Sequence, residues 1–137
     1  MKRAKKLLIP FQSVARGGAE EYALDVARFA LAHGWSVTAL CLPRRDDGGL
    51  GDDLRRTGVE VRGLNLSFSH DDFGKLSPLE LAKLGAKAAL AVRATATERA
   101  TAVHIPLPTP SLGFLALTAA AAASVPAVCV FQLAAQD

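Results

Sequence analysis

The sequence predicts an α/β domain: a three-layer α/β/α sandwich built on a mainly parallel sheet. Strand-like runs alternate with helix-period segments from one end to the other, the pattern of repeated strand–helix–strand units. Runs such as "KKLLIPF" and "VTALCL" are almost continuously apolar, as strands covered on both faces must be. The 137 residues are enough for a single core, burying roughly two thirds of the unfolded surface.

Taken in order, "KKLLIPF" (residues 5–11) is the first strand and "GGAEEYALDVARFALAHG" (17–34) the first helix. Ala19, Tyr22, Ala23, Val26, Ala27 and Ala30 form the helix's apolar stripe, with Glu20, Glu21, Asp25 and Arg28 expected mostly in water. His33 and Gly34 close it, the imidazole near the negative end and the glycine where a left-handed turn is needed. "WSVTALCL" is the second strand, and the charged, glycine-rich "PRRDDGGLGDD" an exposed loop. A short helix "DDLRRTG" and a third strand "VEVRGLN" follow. After the polar loop "SFSHDDFGK", a long helix runs from about Ser77 to Arg99, with Ser77 as cap and Pro78 in first position. "TAVHIPL", the buried helix "PSLGFLALTAAAAAS" and "VPAVCVFQ" complete the alternation, with no repeat, linker or second domain.

Composition excludes several functions. A net charge of +3 without a clustered basic stripe, and 6% aromatics, argue against a nucleic-acid reader. Cys41 and Cys129 each sit in an apolar run with no CxxC or Cys/His cluster, which reads as reduced, buried thiols in a cytoplasmic protein and not as a zinc site. The basic start "MKRAKKLLIPF" has too short an apolar stretch for a signal peptide. The one membrane-length run, residues 112–131, is alanine-rich and split by Pro126, so it reads as helix, turn and strand.

In open parallel sheets ligands bind beyond the carboxyl ends of the strands, where the strand order reverses. There, Gly17 and Gly18 join the first strand to the first helix. Two readings stand side by side. Amides at a helix start lack internal partners and carry partial positive charge, so side-chain-free glycines let a diphosphate or sugar approach, with Arg16 adding a cation. Alternatively, the pair only makes a tight turn. The stretch lacks G-x-G-x-x-G and a P-loop lysine.

"FQSVARGGAEEYALDVARFALAHGWSVTALCL" resembles the opening of GT-B glycosyltransferases of the family-4 type, and "GVEVRGLN" and "TAVHIPLPTPSLGFLALTAAAAASVPAVCVF" are similar to later N-domain segments in the same order. Its most specific element is Gly17-Gly18-Ala19-Glu20. The resemblance implies a Rossmann-like, acceptor-side N-terminal half (residues 1–137) of a two-domain enzyme that moves a sugar from a nucleotide diphosphate sugar to a carbohydrate or lipid-linked acceptor. The donor-binding C-terminal domain is absent from the chain, so the 137 residues alone are expected to be inactive. It further implies that Gly17 and Gly18 face the donor phosphates and sugar, that Ser13, Arg16, His104 and Gln132 line the acceptor side, and that the nucleotide sugar is a co-substrate needing no metal or other cofactor. Trp35 and Gln132 stand where relatives commonly carry histidine; as an amide, Gln132 has no proton to exchange near neutral pH and cannot be a general base.

Other residues weigh less. "SHDD" (Ser69–Asp72) is a run of loop neighbours and not a triad, which needs a base oriented across space. His104, in the fourth strand, is either a satisfied core histidine or a site residue near a strand's carboxyl end. Lys2, Arg3, Lys5, Lys6, Lys75, Lys83 and Lys87 either form a patch for the inner face of an anionic membrane or are solvated. Two rival functions remain: a stand-alone, non-catalytic carbohydrate- or partner-binding module, and an NAD(P)-dependent enzyme. The second lacks both the glycine fingerprint and an acidic residue after the second strand, where "CLPRR" stands.

Overall fold

The computed structural model describes residues 3–11, 16–41, 49–64, 66, 76–107 and 114–131. Strands and helices alternate as expected: β1 (Lys6–Pro10), α1 (Gly18–Ala32), β2 (Ser36–Cys41), α2 (Leu50–Thr57), β3 (Glu60–Gly63), α3 (Pro78–Glu98), β4 (Ala102–Leu107), α4 (Phe114–Ala122) and β5 (Ala127–Phe131). All strand pairs are parallel, in the order β3-β2-β1-β4-β5. The chain steps outward from β1 to β3, then α3 carries it back across β1 to start β4. Right-handed crossovers therefore put α1 and α2 on one face and α3 and α4 on the other.

Strand alternation fills both faces. Leu7, Ile9, Val37, Ala39 and Cys41 pack with Ala23, Leu24 and Ala27 of α1 and Leu50 and Leu54 of α2. Leu8, Leu40, Val103, Ile105 and Leu107 pack with Ala91 of α3 and Leu115, Ala116, Ala119 and Ala120 of α4. That parity turns His104 the other way, toward α1.

Local chemistry sets the helix ends. Gly34 takes φ +79°, a left-handed value that ends α1. At the start of α3, Ser77 Oγ accepts the Glu80 N–H (3.2 Å) while Glu80 Oε2 accepts the Ser77 N–H (2.7 Å), with Pro78 behind the cap. The Ser77 N–H first, and then the Ser77 side chain, hold the Glu80 carboxyl below its ordinary range.

Four expectations change. Glu20 is buried, not solvated, because it shares the face of Ala23, Leu24 and Ala27 at i, i+3, i+4 and i+7. Tyr22 is half-exposed on the flank, and Leu24 fills the core instead. α4 is buried along one face only, with Leu117, Thr118, Ala121 and Ala122 exposed. Cys41 is buried, whereas Cys129 is only partly so. The two lie three strand spacings apart, about 14 Å, which is beyond disulfide reach. Among the described residues, no helix is long and apolar enough to cross a membrane.

Candidate functional site

The strand order reverses between β2 and β4 on either side of β1, and α1 begins at that switch point. Gly17 caps the helix in an extended conformation (φ −142°, ψ −164°) that any residue can adopt. What its missing side chain provides is room: a Cβ there would sit 3.3 Å from Glu20 Oε2. The Glu20 carboxylate uses that room to accept the Gly17 N–H at 2.9 Å. One of the two glycine amides is thus already occupied from within. Gly18, Ala19 and Glu20 open the helix, and their N–H groups have no acceptor inside it.

Arg16 braces this turn. Its guanidinium pairs with Glu21 of α1 and, at 2.7 Å, with Asp53 of α2. The hydrogen bonds it donates to these two carboxylates, Glu21 first, raise its pKa and keep it charged. Its charge is therefore shared with two acids before any ligand arrives. Asp53 is separated from Arg16 by a whole strand–helix unit in sequence, so only the fold reveals the partnership.

His104 lies on β4 under α1, 6% exposed, its ring 5.8 Å from that of Tyr22 and tilted by 41°. Nε2 is buried with no hydrogen-bond partner among the described residues. Burial pushes the imidazole below its usual pKa, so the ring is neutral at pH 7 and able to donate or accept one hydrogen bond, but not to act as a cation. An unpartnered buried polar atom costs about 1–3 kcal/mol, so this nitrogen is poised for a partner.

Gly17, Gly18 and Arg16 therefore cluster at the start of α1, and His104 sits beneath Tyr22 of the same helix. Ser13, Gln132 and the "SHDD" loop lie outside the described residues. Glu20, Tyr22 and Asp53 were missed as members of the cluster. The i, i+3, i+4, i+7 spacing of Glu20 with Ala23, Leu24 and Ala27 was a readable signal for the first; no sequence signal marks the other two.

Among the described residues, the basic side chains at the strands' amino ends lie apart from those on α3. Lys6 pairs with Glu98 and Lys5 lies over Trp35, 5.5 Å from its ring, at the strands' amino ends. Lys83 and Lys87 line a hollow with Leu76, Glu80 and Leu84. About 16 Å of α3 separates Lys87 from Glu98. Lys2 and Lys75 lie outside the described residues.

A family described as "Glycosyl transferase 4-like domain" matches residues 17–137. No curated protein matches significantly. Among solved structures, the chain is similar to MurG from Acinetobacter baumannii, at 17% identity and TM-score 0.66, covering 93% of this chain and 35% of that one. It is similar also to a glycosyltransferase from Rickettsia africae, at 14% identity and TM-score 0.65, covering 98% and 32%. A third likeness is to LpCGTa, solved in complex with UDP, at 17% identity and TM-score 0.65, covering 94% and 30%. The chain spans about a third of the length of each. At these identities the likeness establishes the fold.

Proposed function

Since the chain belongs to the glycosyl transferase 4-like domain family, we propose that it is the acceptor-side, N-terminal half of a GT-B glycosyltransferase that moves a sugar from a nucleotide diphosphate sugar to an acceptor. The observation that carries this reading is the family match, which begins at Gly17 in the turn at the switch point of the sheet. In this reading the open amides of Gly18 and Ala19 meet the donor's phosphates or sugar, stabilising charge on the leaving diphosphate. Gly17 serves by admitting Glu20, which holds the turn in shape. Arg16 fixes the turn against α2, and Ser13, His104 and Gln132 line the acceptor side. The neutral His104 Nε2 takes an acceptor hydroxyl as its missing partner. The nucleotide sugar enters as co-substrate, and the opposite wall of the cleft comes from a second, donor-binding domain.

Calorimetry with a panel of nucleotide diphosphate sugars tests the assignment of halves. The 137 residues should bind none of them tightly and transfer no sugar, because bringing donor and acceptor together requires both walls. A donor affinity in the low micromolar range would mean that the donor site lies in these residues and that the assignment of halves is wrong.

Peripheral membrane contact is proposed for α3. Leu79 and Leu90 are exposed by 65% and 56%, and with Lys83 they follow i, i+4, i+11 along one flank. Flotation with anionic vesicles should carry the protein up while neutral vesicles leave it behind. Equal behaviour with both rejects the contact.

A further inference from the structure

We propose that Tyr22 is the residue that selects the acceptor. Its ring covers His104 Nε2 and, turned aside, becomes the surface on which a sugar ring lies while one sugar hydroxyl bonds that nitrogen. The inference deepens the acceptor-side reading given above and rests on it.

Five polar side chains are buried among the described residues: Glu20, Thr38, Thr95, Glu98 and His104. Four find partners inside the domain. Glu20 accepts the Gly17 N–H, Thr38 bonds the Glu60 carboxylate, Thr95 donates to the Ala91 carbonyl, and Glu98 holds Lys6 and Arg62. Only His104 Nε2 is left without one. A domain that satisfies the other four does not lack internal partners, so the exception calls for a partner from outside.

Tyr22 lies against that imidazole, ring centroids 5.8 Å apart and planes tilted by 41°. The strand fixes His104, whereas Tyr22 is 43% exposed and can change rotamer without moving the backbone. Nε2 is buried, so a ligand hydroxyl reaches it when the Tyr22 ring turns aside. Tyr22 stands four residues into α1 from Gly18, about 6 Å along the axis, and helical side chains lean toward the amino end. A sugar held there reaches toward the open amides of Gly18 and Ala19.

Two features define the ligand. The face of an aromatic ring is negative and attracts the weakly positive C–H hydrogens on one side of a pyranose. The imidazole, kept neutral by burial, gives or takes one hydrogen bond. A sugar ring offers both partners. A free phosphate has no C–H face and calls for a cation, and an acyl chain has no hydroxyl.

Tyr22 is the single tyrosine of the chain, so 13C-tyrosine labelling leaves one ring to follow by NMR. The 137-residue chain is titrated to about 50 mM with methyl glucoside, galactoside and mannoside, and with hexanoate and inorganic phosphate as controls. At least one glycoside should shift the Tyr22 ring and the His104 Nε2 15N signal together, and the epimers should differ by at least about threefold in Kd. Tyr22→Phe keeps the ring and should bind within about twofold of the parent, whereas Tyr22→Ala should weaken binding at least about fivefold. His104→Leu should erase the difference between epimers, a change that lost packing alone would not produce. Circular dichroism checks the fold of each variant.

The proposal is overturned if no glycoside moves the Tyr22 signals, if hexanoate or phosphate moves them equally, or if Tyr22→Ala binds as the parent does. An Nε2 signal already that of a hydrogen-bonded nitrogen in the free chain overturns it too. The titration needs neither a donor nor a second domain. Glycoside binding at Tyr22 together with tight donor binding would therefore overturn the assignment of halves and keep the sugar platform. Failure of glycoside binding with the donor panel as expected would overturn the platform alone.

Discussion

The two borders of the sheet are built on opposite principles. At the β3 border, Glu60 and Arg62 pair at 2.8 Å along the strand, and Arg62 reaches on to Glu98, whose carboxylate also holds Lys6. The α2 helix leads directly into that strand, its Leu54 fully buried beside Val59. At the β5 border there is no charge, and Val128 stands mostly in water. Charge on an edge strand makes pairing with another strand costly, whereas an apolar edge invites it. The β3 side is finished by ion pairs and a helix, whereas β5, the last strand among the described residues, is apolar.

Substitutions at the two borders should therefore differ in size and kind. The largest effect is expected from Leu54→Ala, which empties a fully buried site beneath the β3 border and should cost about 3 kcal/mol in urea unfolding. A loss under 1 kcal/mol would mean that α2 does not hold that border. Glu98→Ala leaves Lys6 and Arg62 facing each other without their shared carboxylate. The exposure of Lys6 and Arg62 puts the cost in urea unfolding below that of breaking a fully buried pair. Added salt should recover part of it, and a variant as stable as the parent would make the ion pairs ornamental.

A pH series sharpens the contrast under the β5 side of α1. His104 is neutral when folded because burial lowers its pKa, so the unfolded chain binds the extra proton. Its contribution to stability is complete above about pH 6.5 and is lost as pH falls from there to the lowered folded value. The slope cannot exceed about 1.4 kcal/mol per pH unit for one proton. His104→Gln should flatten that part of the curve relative to the parent; an unchanged curve would assign the slope to other groups. The smallest effect is expected at Val128, where Thr should change monomer stability by less than about 0.5 kcal/mol because the side chain is already exposed.

Much of this was legible in the residues. The order of strands and helices, the Ser77–Pro78 start of α3 and the Gly34 stop of α1 follow from periodicity and end chemistry, which are local. The start of α1 at Gly17 and Gly18 was legible, but the exposure of the two acids that follow was not. Glu20 and Glu21 are adjacent acids, yet a 100° turn of the helix buries the first against Gly17 and leaves the second, half-exposed, to Arg16. The neighbours of Arg16 and His104 were not legible, because Asp53 and Tyr22 reach them through the packing of separate elements.

By itself, the sequence determined which segments are strands, which are helices, and which side of each is apolar, since period and capping act over a few residues. Only the tertiary structure decided which charges meet and which histidine nitrogen is left without a partner among the described residues. Those depend on the crossover that returns the chain past β1, an arrangement that brings together residues whose sequence separation carries no signal of their contact.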